Sequence, residues 1–574
     1  MDLHCFLNLF FDHIYKFMKN LFFAVCFIFN FLTVFSQNSN DDEYVVFLKD
    51  KNNSPYSISN PSEFLTTKSI ERRQRYSIGF DISDLPVNPS YIEQIKSMGG
   101  NVKYASKWLN GVVIIGGDNL NAINSLPFVK EIRRIRDSRV YDKNPGLNNK
   151  FLVLDNNNST YRTIHEKSSM GYDYGASYNQ IAMLSGEALH NSGFRGEGMT
   201  IAVLDAGFLH VDTMAIFDSL RVNNQILGTK DFVLPGANVY GQDMSPHGMM
   251  VLSVMGGILP GKLIGTAPKA NYWLLHSEDY YAEYVGEEYN WVAAAEFADS
   301  VGVDIINSSL SYTTFDDTMQ NHTYSQMDGN TTIITKGADM AAKKGILVVC
   351  SAGNYGNTLW KYIGAPADGD SVFTIGAVEP DSVYASFSST GPSFDKRIKP
   401  NVVAQGYGAV TAGLNGGISY QSGTSFSSPI IAGMCACLWQ SKINHNNMEI
   451  IQAIESSANQ FSNPDSLLGY GIPNFMHASN LLGGINPIIK NQNDINVFPN
   501  PFTDNLTVTF SLKTIKVNQI QILDVTGANV FNLKNYILVD NILYIKDISQ
   551  LPKGLYILKI ISPDKTFTKK IVKA

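Results

Sequence analysis

Between residues 44 and 135, short apolar runs alternate with stretches of helical spacing. Tyr44, Val45, Val46, Phe47 and Leu48 predict a strand, residues 89–98 a helix, 108–115 a strand, 119–125 a second helix and 129–135 a closing strand. Further along the chain the runs lengthen. Continuous apolar segments, among them Thr200-Ile201-Ala202-Val203-Leu204, 272–275 and 345–350, are interleaved with helical patterns at 249–255, 291–300 and 425–440. Strands apolar on both faces and interleaved with helices predict an α/β domain, a mostly parallel sheet with helices on both sides. Beyond Leu482 the pattern changes again. Alternating segments at 506–512, 517–523, 541–545, 555–561 and 566–572, with Thr526-Gly527-Ala528 as a turn, predict a small all-β sandwich.

Composition fits several domains. The chain has 574 residues, 44% hydrophobic and 17% charged, enough to bury a large core and carry further modules. A formal net charge of −7 with no basic stripe argues against a nucleic-acid partner. Lys19 and Asn20 precede an apolar run at 21–35, and Ser36-Gln37 offers a cleavage point, so residues 1–36 are expected to be an export signal. Met18 begins a more ordinary signal than Met1 and is an alternative start. The run is shorter than a membrane span, so no stable span is expected in the mature form; an uncleaved anchor is the competing reading. Of five cysteines, Cys5 and Cys26 fall in this region. Cys350, Cys435 and Cys437 imply no disulfide framework and read as small core residues.

The chemistry concentrates in four segments. Ser422-Gly423-Thr424-Ser425-Phe426-Ser427-Ser428-Pro429 sets a serine between a glycine turn and an apolar helix. A serine hydroxyl needs a base and an oriented carboxylate to become a nucleophile. Asp205 ends an apolar strand, and His247 in Ser245-Pro246-His247-Gly248 opens a helical run. Singly, each residue is more often a cap, a turn or a structural group. Together they stand in the order Asp, His, Ser, which excludes the chymotrypsin and α/β-hydrolase orders. Val348-Val349-Cys350-Ser351-Ala352-Gly353-Asn354 adds a strand whose loop ends in an asparagine amide.

On these motifs the region 175–484 resembles the subtilisin-like serine peptidases. The resemblance implies Asp205, His247 and Ser425 as a triad and Asn354 in the oxyanion hole. It also implies Ser309, Leu310 and Ser311, facing Ser351, Ala352 and Gly353, as substrate-binding walls of the primary specificity pocket. Two positions depart from the family pattern. Ala206 follows the aspartate and Met249 follows His-Gly, where the family places hydroxyl residues, so hydrogen bonding around His247 is expected to be looser.

The N-terminal pattern suggests a ferredoxin-like plait and resembles subtilisin-type propeptides, with an exposed linker at 144–170. Val497-Phe498-Pro499-Asn500-Pro501-Phe502 and Lys553-Gly554-Leu555-Tyr556 resemble the C-terminal sorting domain of the type IX secretion system. The expected organisation is signal 1–36, propeptide and linker 37–172, catalytic domain 173–484 and sorting sandwich 493–574. It implies a secreted or surface-displayed serine endopeptidase, made as a zymogen and passing through the periplasm of a Gram-negative bacterium. Its partners would be protein or peptide substrates and the export and type IX machinery. The alternative is a catalytically silent surface-binding protein on the same fold; an esterase lacks its Gly-x-Ser-x-Gly elbow. No cofactor is expected, and no calcium loop is assignable, although a structural calcium ion stays open. The segment 277–288 carries five carboxylates and no base, an acidic loop expected either to border the substrate subsites or to be merely solvated.

Overall fold

The computed structural model describes residues 41–139, 172–483, 495–510, 516–533, 536–539, 542–563 and 566–574. The expected export signal and linker lie outside them. The chain divides into two compact units, Met1–Asn486 and Pro487–Ala574.

The first unit opens with a module of β1 (Glu43–Leu48), α1 (Thr67–Arg75), α2 (Pro89–Ser97), β2 (Asn101–Ser106), β3 (Gly111–Ile115), α3 (Leu120–Asn124) and β4 (Val129–Arg136). Its sheet runs β2-β3-β1-β4 and is antiparallel throughout, the order of a ferredoxin-like plait. Val46, Leu48, Ile95, Val112, Ile114 and Ile123 form its core. Two elements were not legible beforehand. β2 turns Lys103 inward, onto Glu43 at 2.9 Å, which breaks the apolar alternation. α1 has no apolar face, since its buried residues are Ser69, Arg72 and Arg73.

The α/β domain follows as β5 (Thr200–Asp205), β6 (Ile226–Asp231), α4 (His247–Gly256), β7 (Asn271–His276), α5 (Gly286–Val301), β8 (Ile305–Ser308), α6 (Ile333–Lys343), β9 (Leu347–Ser351), β10 (Phe373–Val378), β11 (Val402–Gln405) and α7 (Thr424–Ser441), with shorter elements between. The seven strands run β11-β10-β9-β8-β5-β7-β6, and every pairing is parallel. Period-two alternation splits the core in two. Ile201 and Val203 of β5 pack with α4 and α7, and Ala202 and Leu204 pack with α5 and α6. Helix α5 starts at Gly286, five residues before the expected 291, because Glu287 and Glu288 occupy its first turn, where unpaired N–H groups favour carboxylates.

The N-terminal module docks on α5 through charge. Asp299 pairs with Arg72 at 2.6 Å, Arg73 at 2.9 Å and Lys107 at 3.2 Å. Glu296 accepts Ser106 Oγ and the N–H groups of Lys107 and Trp108, which is why the strand expected from 108 begins only at Gly111. Arg73 and Lys344 share Asp84, each at 2.9 Å. Burial alone would raise the Asp299 carboxyl, but Lys107, Arg72 and Arg73 hold it down at about 2.

Asp339 on α6 is the opposite case. Burial, reinforced by Asp370, pushes its carboxyl up to about 7, against the pull of the Ser371 N–H. A raised carboxyl pKa supports the fold fully below the unfolded value of 3.8, and that support is lost as pH rises through about 7. Asp339→Asn is therefore expected to stabilise the protein at pH 8 by about 1–3 kcal/mol, after discounting for partial exposure, and to do little at pH 4. Urea melts at the two pH values read this directly; equal shifts at both would contradict it.

The second unit has two antiparallel four-stranded sheets. One orders Ile495–Phe498, Leu506–Phe510, Ile542–Ile545 and Tyr536–Val539; the other orders Asn529–Leu533, Gln519–Leu523, Gly554–Ile561 and Thr566–Lys573. Leu506, Val508, Ile520, Ile522, Leu543 and Leu558 join both sheets in one core, as a sandwich requires. Among the described residues no helix is long and apolar enough to cross a membrane. Cys350, Cys435 and Cys437 are buried free thiols, and burial pushes that of Cys350 up to about 12.

Candidate active site

In an open parallel sheet, strand ends and helix starts converge at the carboxyl edge. Asp205 is the last residue of β5, His247 the first of α4 and Ser425 the second of α7. Ser309 to Ser311 continue from β8, and Ala352 to Asn354 continue from β9.

Asp205 Oδ1 accepts from His247 Nδ1 at 2.7 Å and from the Ala206 N–H at 2.8 Å. The approach depends on Gly248, where a Cβ would lie 2.9 Å from Asp205 Cβ. Asp205 Oδ2 is buried and makes no hydrogen bond among the described residues. Ala206 brings no hydroxyl, and Met249 is fully buried in the apolar core, so the aspartate is held through one oxygen. Phe426 packs against the imidazole, with ring centroids 5.9 Å apart.

Pro429 lies inside α7 and lacks the N–H that would bond the Ser425 carbonyl four residues back. Ser309 Oγ donates to that carbonyl at 2.9 Å, and Ser425 Oγ donates to the Ser309 carbonyl at 3.3 Å. The start of α7 and the segment after β8 are thereby tied together. Asn307 extends the tie, accepting from Ser428 Oγ at 3.0 Å and donating to Ser309 Oγ at 3.2 Å. Asn354 Oδ1 accepts from the Thr424 N–H at 2.9 Å and from Thr424 Oγ1 at 3.0 Å, an assignment that leaves its NH₂ as the outward donor. Thr424 Oγ1 in turn accepts the Gly353 N–H at 3.2 Å. Thr424 and Asn307 were not singled out from sequence. The available signal was a polar residue inside an otherwise apolar strand, Ile305-Ile306-Asn307.

Leu310 is 3% exposed and its side chain belongs to the α5–α6 core, while its carbonyl accepts Ser351 Oγ at 3.4 Å. Gly353 has φ of +102°, a conformation natural to glycine, and turns the chain toward Asn354. His276, beside Asp205 in the sheet, bonds Asp231 Oδ2 through Nδ1 and the Glu278 carbonyl through Nε2, both at 2.8 Å. It anchors the start of the acidic loop and was not anticipated.

The acidic loop largely serves its own fold. Glu287 accepts the N–H groups of Asp279 and Tyr284, Glu278 accepts from Tyr312, and Glu288 pairs with His322. Glu278, Glu283 and Glu287 each bring an oxygen within 4.8 Å of the others, the carboxylates best placed among the described residues to hold a cation.

Comparison with known proteins gives the class. Residues 196–471 match the subtilase family, and the catalytic region of this chain belongs to that family of serine-type peptidases. Residues 43–149 match the peptidase S8 propeptide domain of Bacteroidota, and residues 496–574 match a secretion system C-terminal sorting domain. Subtilisin E of Bacillus subtilis (strain 168) is 28% identical over 302 residues, spanning 52% of this chain and 70% of its own. The thermophilic serine proteinase of Bacillus sp. (strain AK1) is 29% identical over 286 residues, 49% of this chain and 61% of its own. Among solved structures, the prenylagaramide maturation protease PagA is 23% identical with a TM-score of 0.41, covering 52% of this chain and 99% of its own. The protein is thus a subtilisin-family protease with a propeptide, and its sorting domain directs it to the cell surface or the medium through a Bacteroidota-type secretion system.

Proposed function

We propose that the protein is a secreted serine endopeptidase that cleaves peptide bonds through Asp205, His247 and Ser425 by way of an acyl-enzyme. The observation that carries this reading is the 2.7 Å bond from His247 Nδ1 to buried Asp205, at the sheet edge where α7 presents Ser425. With Nδ1–H given to the carboxylate, Nε2 is the basic nitrogen of the ring. It takes the Ser425 proton as Oγ attacks the scissile carbonyl, then returns it to the leaving amine. A water, deprotonated by the same nitrogen, releases the acyl group.

The oxyanion would be met by the Ser425 N–H, in the first turn of α7, and by the Asn354 NH₂, aimed by Thr424. Cleavage in the 144–170 linker would free the catalytic domain from its N-terminal module. Neither the proposed chemistry nor the hold of the N-terminal module requires a cofactor.

Asn354→Ala is expected to lower kcat by roughly 10²–10³, the loss found for the equivalent asparagine of a subtilisin, with KM little changed. The test is steady-state hydrolysis of a peptide amide. A variant as fast as the parent would remove Asn354 from the oxyanion site.

A further inference from the structure

We propose that the primary specificity pocket is short and accepts glycine, alanine or serine before the scissile bond, with Ser311 setting its depth. This rests on the reading of Ser309 to Ser311 and Ser351 to Gly353 as the pocket walls. A third side is present in the structure. Tyr312 and Ala365 exchange backbone hydrogen bonds of 2.8 and 3.1 Å, and the Gly364 N–H reaches the Ala352 carbonyl at 3.4 Å. Gly364 therefore faces the slot between the two walls.

Ser311 projects into that slot. A Cβ on Gly353 would lie 2.8 Å from Ser311 Oγ, and a Cβ on Gly364 would lie nearer still. Ser311 Oγ thus fills the space between the two glycines, and on the Gly353 side Ser389 Oγ, 2.9 Å from the same Cβ position, helps to fill it. Tyr355 narrows it further, since its OH bonds the Ser311 carbonyl at 2.9 Å while its ring passes 3.0 Å from the Gly353 Cβ position. A Phe or Leu side chain would have to displace both groups.

Ser311 Oγ is buried and makes no hydrogen bond among the described residues, so it closes the slot as a packed stop rather than as an open polar contact. Site shape thereby sets selectivity through differential fit in the transition state.

The test compares peptides that differ only in the residue before the cleaved bond, Ala, Ser, Leu or Phe, using enzyme matured from the full chain. Specificity constants at least tenfold higher for Ala and Ser than for Phe are expected. Ser311→Gly should raise the Phe-to-Ala ratio at least tenfold. If that variant fails to fold, peptide boronates ending in Ala or Phe read the same preference on the parent enzyme. A parent that prefers Phe, while Ser425 takes a fluorophosphonate label, overturns the pocket alone. Absence of label at Ser425 overturns the catalytic reading, and the pocket with it.

Discussion

Ser425→Ala is expected to abolish peptide hydrolysis, by roughly 10⁶ in kcat, and to leave the fold intact. The substitution deletes one oxygen whose hydrogen bond among the described residues is a long one, 3.3 Å to the Ser309 carbonyl. The ties that hold the start of α7 run through the Ser425 carbonyl and Thr424, so they survive. Stability should change by less than about 1 kcal/mol. If maturation is self-catalysed, the variant also accumulates with residues 41–139 still attached. Kinetics and an immunoblot of the secreted protein check both; normal processing in a host without other proteases would refute self-cleavage but leave the nucleophile assignment standing.

Asp299→Ala is expected to loosen the N-terminal module from α5 by about 3–5 kcal/mol. Asp299 is the shared partner of Arg72, Arg73 and Lys107, and both arginines are 2% exposed or less. Without it Arg72 keeps the Val303 carbonyl and Arg73 keeps Asp84, too little to offset three desolvated cations. Acid should act in the same direction. A depressed carboxylate stabilises above its unfolded value of 3.8, and that contribution is lost as pH falls toward about 2. Urea unfolding of the full-length Ser425→Ala protein, with and without Asp299→Ala, measures the effect through protease sensitivity of residues 41–139. Unchanged sensitivity would show that the charge cluster does not hold the module.

What the sequence made legible follows the physics of each element. β5, β7, β9 and the helices α4 and α7 were readable because both sheet faces are apolar and a long buried helix needs the same. The four candidate catalytic motifs stood out because the chemistry proposed for them requires specific residue types at strand ends and helix starts. The docking helix α1 was illegible for the converse reason. Its buried face is arginine, and its partner Asp299 lies 226 residues away from Arg73, so no local pattern marks it. Likewise Thr424 and Asn307 act by hydrogen-bond geometry, which residue identity does not encode. Ser311 was expected from sequence to be part of a pocket wall; that its hydroxyl lies against both Gly353 and Gly364 is a matter of tertiary geometry that sequence does not encode.

The central claim is that Ser425 is a nucleophile activated by His247. Treating the matured enzyme with a fluorophosphonate and mapping the adduct by peptide mass spectrometry tests it most directly. The account predicts one stoichiometric adduct, on the peptide containing Ser425, and none when His247 is replaced by alanine. An unlabelled Ser425 in folded, processed protein, or an adduct on another serine, would contradict it.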